Sequence, residues 1–160
     1  MIETIRQMQK TDLRKLGEIY AEVYRDFDVG EKWTKEAAEK LMGYWFQKQP
    51  DLAFVADMSG EIAGAAMAGI KPWWDGNHLS DGEIFIHPKF QKQGIATKLL
   101  VALLERAIEK YDAVSFDSFT FKKKDFPLSW YKKIGFVENA DWTLIAGDVR
   151  QVLAKLRKSN

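Results

Sequence analysis

The stretch Glu83-Ile84-Phe85-Ile86-His87-Pro88-Lys89-Phe90-Gln91-Lys92-Gln93-Gly94-Ile95-Ala96-Thr97-Lys98-Leu99-Leu100 reads as a buried strand, a stop, a short loop and the start of a long helix. Ile84, Phe85 and Ile86 suit a covered, pleated surface. Pro88 has no amide hydrogen to give a ladder, so the strand ends there. Ile95, Leu99, Leu100, Leu103, Leu104, Ala107 and Ile108 recur at helical spacing and define one apolar face. Between strand and helix lies Gln91-Lys92-Gln93-Gly94-Ile95-Ala96. The first amides of a helix have no internal partner, and the helix dipole places partial positive charge there. Gly94 and Ala96 let a ligand approach the backbone, while Lys89, Lys92 and Lys98 add charge. Such a loop suits a phosphate or pyrophosphate. An ordinary strand-to-helix connection with solvated lysines would look the same in sequence.

Two familiar phosphate loops are excluded. A P-loop needs Gly-Lys followed by Ser or Thr, and the chain contains no Gly-Lys. The dinucleotide fingerprint needs three spaced glycines, and only Gly94 is present here.

Outward from this stretch, the 160 residues suggest a single domain spanning 1–160, and a hydrophobic fraction of 46% is enough for a real core. A formal charge of +1 argues against a dedicated nucleic-acid or membrane-surface binder. The absence of cysteine excludes disulfides, thiolate metal sites and an acyl-cysteine intermediate. With only His78 and His87, a histidine-built metal site is not expected. No apolar run approaches the ~20 residues of a membrane span. Met1-Ile2-Glu3-Thr4 lacks the basic and apolar regions of a signal peptide, so a cytoplasmic location is expected.

Thr4 to Gln9 alternates like a half-buried strand. Thr11-Asp12 suits a helix N-cap, and Leu13, Leu16, Ile19, Tyr20, Val23 and Tyr24 form a helical stripe to about Phe27. Thr34 caps a second helix carrying Ala37, Ala38, Leu41, Met42 and Trp45. Leu52–Ala56 and 62–70 are read as two antiparallel strands about a Ser59-Gly60 turn. Residues 71–77 read as a loop, and the core strand follows from about Ser80. After the long helix, 113–121 alternates as a strand. Pro127 opens a short helix with Trp130 and Tyr131, and Gly135 is placed to cap it. Phe136-Val137 and Trp142 to Ala146 read as final strands. Val149, Val152, Leu153 and Leu156 then mark a last helix.

Gln91-Lys92-Gln93-Gly94-Ile95-Ala96, following a strand, Pro88 and Phe90, resembles the Gln/Arg-x-x-Gly-x-Gly/Ala motif of the GNAT (GCN5-related) N-acetyltransferases. Trp130-Tyr131-Lys132-Lys133-Ile134-Gly135-Phe136 is similar to that family's second motif, a Tyr shortly before Gly-Phe. The resemblance covers most of the chain. It implies an α/β (α+β) GNAT fold. Its mixed central sheet would have about six to seven strands, with splayed central parallel strands and helices on both faces. The implied co-substrate is acetyl-CoA, with no metal. The implied activity moves acetyl to a primary amine by direct attack in a ternary complex. The competing reading is a CoA-binding sensor or interaction domain without turnover. A small-molecule or peptide amine is the expected partner, with no nucleic acid or membrane. Homodimers are common in the family.

By this resemblance the amides from Lys92 through Gln93, Gly94, Ile95 and Ala96 to Thr97 hold the pyrophosphate, within the motif opened by Gln91. The backbone of Ile84, Phe85 and Ile86 pairs with the pantetheine arm as an added strand would. Tyr131 is the general acid for the leaving thiolate. A phenol, with a pKa of about 10, stays protonated at neutral pH. Many relatives carry Asn seven residues before this Tyr; here Lys124 stands there and is the candidate phosphate contact. A common position for a carboxylate base falls at Ser80, which cannot serve. Glu83 and Asp81 are the nearby candidates, with Asp117 a further one. Strand alternation puts Asp81 and Glu83 on one face, away from Ser80, unless a bulge intervenes. Acceptor-binding candidates are Tyr24, Phe27, Trp33, Trp73 and Trp74, with Glu22, Asp26, Asp28 and Glu31 among or near them. Aromatics with carboxylates suit a cationic amine. Packing alone would account for most of the aromatics, but paired Trp in a Pro/Gly loop is costly to expose without use.

Overall fold

A computed structural model describes residues 3–158. The chain divides into two compact units, one ending at Phe119 and one beginning at Thr120.

The first unit is built on a mixed sheet. Its strands are β1 (Glu3–Gln7), β2 (Ala53–Met58), β3 (Glu61–Trp73), β4 (Gly76–Ile86) and β5 (Ala113–Asp117), neighbours in that order. Each strand from β1 to β4 is antiparallel to its neighbour, and β5 is parallel to β4. Helices α1 (Leu13–Phe27) and α2 (Lys35–Lys48) precede β2, and α3 (Ile95–Tyr111) links β4 to β5. Ala53, Val55, Ala65, Met67 and Phe85 alternate along their strands and pack with Leu16, Ile19, Tyr20, Ala38, Met42 and Trp45 of α1 and α2. The intervening strand residues turn to the other face, which α3 covers with buried Leu99, Leu103 and Ala107. Each large buried aliphatic side chain contributes about 1.5–3 kcal/mol of burial, which anchors both layers.

The Thr34 hydroxyl caps α2 by accepting the Ala37 amide at 3.1 Å. Asp12 does not cap α1 in the expected way. Its carboxylate accepts the Gln9 amide at 2.7 Å and two bonds from the Arg6 guanidinium at 2.8 and 2.9 Å. An incoming cation on β1 thus takes the oxygens that would otherwise have met α1 amides.

Residues 71–77 form no open loop. β3 runs to Trp73, Trp74-Asp75 make the turn, and Gly76 starts β4 opposite Trp73. Pro72 is accommodated near the strand end, where a missing ladder hydrogen matters least.

The second unit contains α4 (Asp125–Lys133) and α5 (Val149–Lys158). Phe126 has extended φ/ψ, so regular helix begins at Pro127, as the sequence suggested. Gly135, at φ +105°, ends α4. Its amide bonds the Lys132 carbonyl at 3.1 Å, and the Phe136 amide bonds the Tyr131 carbonyl at 3.0 Å. This paired geometry favours glycine at that position.

Among the described residues the sheet has five strands, not six to seven. Phe136-Val137 and Trp142 to Ala146 lie in no strand. Val137 and Ile145 are 88% and 86% exposed. Alternating apolar residues make a strand only when a neighbour supplies the ladder and a layer covers one face. This segment has neither.

Candidate active site

The site begins with a departure from ideal pairing. Met67 faces Glu83 and Gly69 faces Ser80, so the single residue Ala68 opposes both Asp81 and Gly82. This is a β-bulge on β4. Asp81 and Gly82 have φ of +55° and +99°. A β-carbon at Gly82 would lie 2.0 Å from the Met67 carbonyl oxygen, so only glycine fits. Because two residues occupy one pleat, Glu83 falls on the face of Ser80, towards α1. The expectation that alternation holds Glu83 away from Ser80 is corrected by this bulge. Asp81 is left exposed within it.

The bulge also marks where the parallel strands part. The β4–β5 ladder ends at Ser80 opposite Asp117, while β4 continues to Ile86 against β3 alone. The His87 amide bonds the Ala63 carbonyl at 2.8 Å, which fixes the alternation. Residues 85 and 87 turn their main chain towards β3, and Ile84 and Ile86 turn theirs outwards. Of the three expected backbone contacts, Ile84 and Ile86 therefore face the gap. Phe85 gives its main chain to β3 and its ring to the core. Gln91 Nε2 reaches the outward Ile86 carbonyl at 3.0 Å and ties the loop to the strand end.

Beyond Pro88–Phe90, a single 3₁₀ turn, Lys92 and Gly94 adopt φ of +62° and +79°. Gly94 is the N-cap of α3, and no side chain caps the helix. The amides of Ile95, Ala96 and Thr97 have no intrahelical acceptor. Lys92, Gln93, Gly94 and Thr97 are exposed beside them. Nothing lies within 4 Å of the position a Gly94 β-carbon would take. These residues fit a diphosphate, and the outward edge at Ile84 and Ile86 fits an amide-bearing arm such as pantetheine.

On the α1 face, Tyr20 Oη donates to Glu83 Oε2 at 2.9 Å. The Tyr20 ring stacks on Tyr24 at 4.5 Å and meets Trp33 and Phe85 edge-on at 5.2 and 5.1 Å. Phe27 meets Tyr24 at 6.4 Å. Trp33 Nε1 donates to Glu31 Oε2 at 2.7 Å. Burial, with the nearby charges of Glu31 and Asp81, pushes the Glu83 carboxyl up to about 7 against the pull of the Tyr20 hydrogen bond. Burial above all raises Tyr24 to about 12. Three of the expected acceptor aromatics, Tyr24, Phe27 and Trp33, thus gather near Glu83. Trp73 and Trp74 do not join them. They sit at the β3–β4 hairpin tip, about 20 Å along β4 from Glu83 at ~3.3 Å per residue. Trp73 receives the Lys71 ammonium over its ring at 4.1 Å.

Sequence reasoning missed Tyr20, which reads there as one more member of the α1 core stripe. The available signal was a hydroxyl in that stripe and a carboxylate in an otherwise apolar strand, each needing a buried partner. It also passed over His78 as a polar neighbour of the notch. His78 is buried at 6% exposure, with Nδ1 at 2.5 Å from Asp117 Oδ2 and Nε2 at 2.9 Å from Asp75 Oδ1. Asp117 is thereby committed to a hydrogen bond with the His78 ring. A cleft of about 380 Å³ on α1 and the start of α2 is lined by Lys15, Glu18, Glu22, Arg25, Trp33 and Lys35. It does not reach Glu83, and its mixed charges favour neither ligand sign.

In the second unit, Tyr131 lies on α4, its ring 5.0 Å from Trp130 and 5.2 Å from Phe136. Lys124 stands at the N-cap position of α4.

The model of the acetyltransferase (GNAT) family matches residues 13–136, across both units. The chain belongs to the GNAT family. An uncharacterized N-acetyltransferase of Methanocaldococcus jannaschii is 26% identical over 144 residues, covering 84% of this chain and 61% of that relative. The chain thus spans less than two thirds of that GNAT relative's length. An aminoglycoside N-acetyltransferase solved with CoA superposes with a TM-score of 0.71 at 21% identity, over 92% of this chain and 95% of its own. A predicted acetyltransferase from Clostridium acetobutylicum solved with acetyl-CoA gives 0.71 at 18%, over 91% and 96%. These likenesses establish the GNAT fold of this chain. Among the described residues no helix is long and apolar enough to cross a membrane.

Proposed function

We propose that this protein, as one GNAT domain, transfers an acetyl group from acetyl-CoA to a cationic primary amine by direct attack in a ternary complex. The observation that carries the reading is Glu83, a half-buried carboxyl bonded to the Tyr20 hydroxyl and set among aromatic rings beside the open edge of β4. Acetyl-CoA supplies an activated acetyl thioester. The amides of Gly94, Ile95, Ala96 and Thr97, with Lys92 beside them, hold its diphosphate, and the outward main chain at Ile84 and Ile86 aligns its arm.

An ammonium group, with a pKa of about 10.4, has to lose a proton before it can attack. Tyr24, Phe27 and Trp33 offer faces that attract a cation, and Glu31 and Glu83 add negative charge. Glu83 accepts the ammonium proton, for which a pKa near the working pH is best suited. Tyr131 gives its proton to the departing sulfur. Lys124 adds a cation for the coenzyme phosphates.

Ser80, standing where many relatives carry a carboxylate, is the feature that favours a CoA sensor without turnover. Glu83 on the same face supplies what Ser80 lacks. Free thiol released from acetyl-CoA, measured over a panel of diamines, aminoglycosides, amino acids and peptides, separates the two. Release with cationic amines supports the transferase. Coenzyme binding with no release across the panel supports the sensor.

A further inference from the structure

We propose that Tyr20 is a positioning residue for Glu83, its phenol hydroxyl fixing the carboxylate in place and holding it in the ionised form that can receive a proton. The proposal rests on the reading of Glu83 as the base, and deepens it.

The geometry leaves the hydroxyl little freedom. Tyr20 is 2% exposed. One face of its ring lies on Tyr24, and Trp33 and Phe85 close its edges. The stacked Tyr24 ring, 4.5 Å away, holds the donor's ring in its plane. A ring so enclosed stays in one rotamer, and so does the carboxylate it bonds.

Two opposed effects meet at Glu83. Burial favours the neutral acid, as do the charges of Glu31 and Asp81, and the Tyr20 hydrogen bond favours the carboxylate. Without that donor the group would stay protonated at neutral pH and could accept nothing. Burial and the adjacent Glu83 push the Tyr20 phenol far above the ordinary tyrosine value. Tyr20 therefore remains a donor throughout and takes no part in the transfer itself. The ammonium N–H bond breaks and an O–H bond forms on Glu83. The freed lone pair forms the new C–N bond, the C–S bond breaks, the nitrogen gives up its second proton to solvent, and the departing sulfur takes one.

The test is a carbon-13 titration of glutamate carboxyl groups in the full chain, comparing wild type, Glu83→Gln and Tyr20→Phe. Wild type should show one carboxyl with a midpoint near 7, and Glu83→Gln should lack that signal, which assigns it. Tyr20→Phe keeps the ring and its packing. It should raise the midpoint by about 1 to 2 pH units, the worth of one hydrogen bond to a charged group. Should that variant fail to fold, 3-fluorotyrosine at position 20, which keeps the ring and makes its hydroxyl a stronger donor, should lower the midpoint. An unmoved midpoint overturns the proposal. A midpoint that moves while the acid limb of turnover stays put leaves the Tyr20–Glu83 coupling standing and removes Glu83 as the base. The two readings thus fail separately.

Discussion

Glu83 shares a face of the sheet with Ser80, three positions earlier, because Asp81 and Gly82 together oppose Ala68. In a regular strand, residues an odd number apart point opposite ways. The bulge restores a carboxylate to the face on which Ser80 offers only a hydroxyl. Gly82→Ala should therefore do two things. A β-carbon 2.0 Å from the Met67 carbonyl must displace backbone. Urea melts should show a loss of about 2 kcal/mol or more. Turnover should fall further than folding does, measured where the variant is still folded. A variant with wild-type stability and turnover would show that the bulge is dispensable.

Stability should also report on Glu83. Its folded pKa of about 7 lies above its ordinary value of 4.5. Between those values the folded protein holds a proton that the unfolded chain releases, so stability falls as pH rises through this window. Glu83→Gln keeps an acceptor for Tyr20 and removes the charge. At pH 8 it should be more stable than wild type by up to ~3 kcal/mol, the full worth of the pKa gap. At pH 4 the two should melt alike. An inactive variant that gains stability only at high pH is the pattern of a strained functional group.

His78 gives a pH dependence of the same sign from a different cause. Hydrogen bonds to Asp117 and Asp75 raise its pKa against the effect of burial. The imidazolium then joins the hairpin turn at Asp75 to the end of β5. A raised histidine pKa contributes stability that is full below the unfolded value near 6.5 and is lost as pH rises through the folded value. Denaturant midpoints of wild type against His78→Gln should differ most at about pH 6 and converge in alkaline solution. A constant difference would mean that shape, not charge, holds the clamp.

Tyr131→Phe separates acid from filler. If the phenol protonates the leaving sulfur, turnover should fall by about 10²-fold, within the usual range for a general acid, with coenzyme affinity nearly unchanged. Steady-state kinetics with acetyl-CoA and the best amine of the panel measure both. Equal turnover would remove Tyr131 from the chemistry.

What could be read from the sequence was chemistry confined to neighbouring residues. Pro88 stopping a strand, Gly94 opening α3 and Gly135 closing α4 each act within a few positions, and the structure places all three as their types require. What could not be read depends on partners distant in sequence. Nothing local in Ser80-Asp81-Gly82-Glu83 says that two residues share one pleat; Met67 and Gly69 decide it. Pro72-Trp73-Trp74 carries loop composition, yet cross-strand pairing makes most of it a hairpin. Phe136-Val137 and Trp142 to Ala146 carry strand composition without a strand to pair with. Tyr20 looks like core until Glu83, 63 residues away, meets it.

The account rests on the loop between β4 and α3 gripping coenzyme A. Calorimetric titration of the protein with CoA, alongside Gly94→Ala, tests this most directly. At φ +79° an alanine is strained, and its methyl group would stand in open space where the diphosphate approaches. The account predicts one CoA bound with measurable heat, an affinity at least ~10-fold weaker in Gly94→Ala by loss of one charge-assisted contact, and a variant that still folds. No heat with the wild-type protein, or equal affinity in the two, would contradict it.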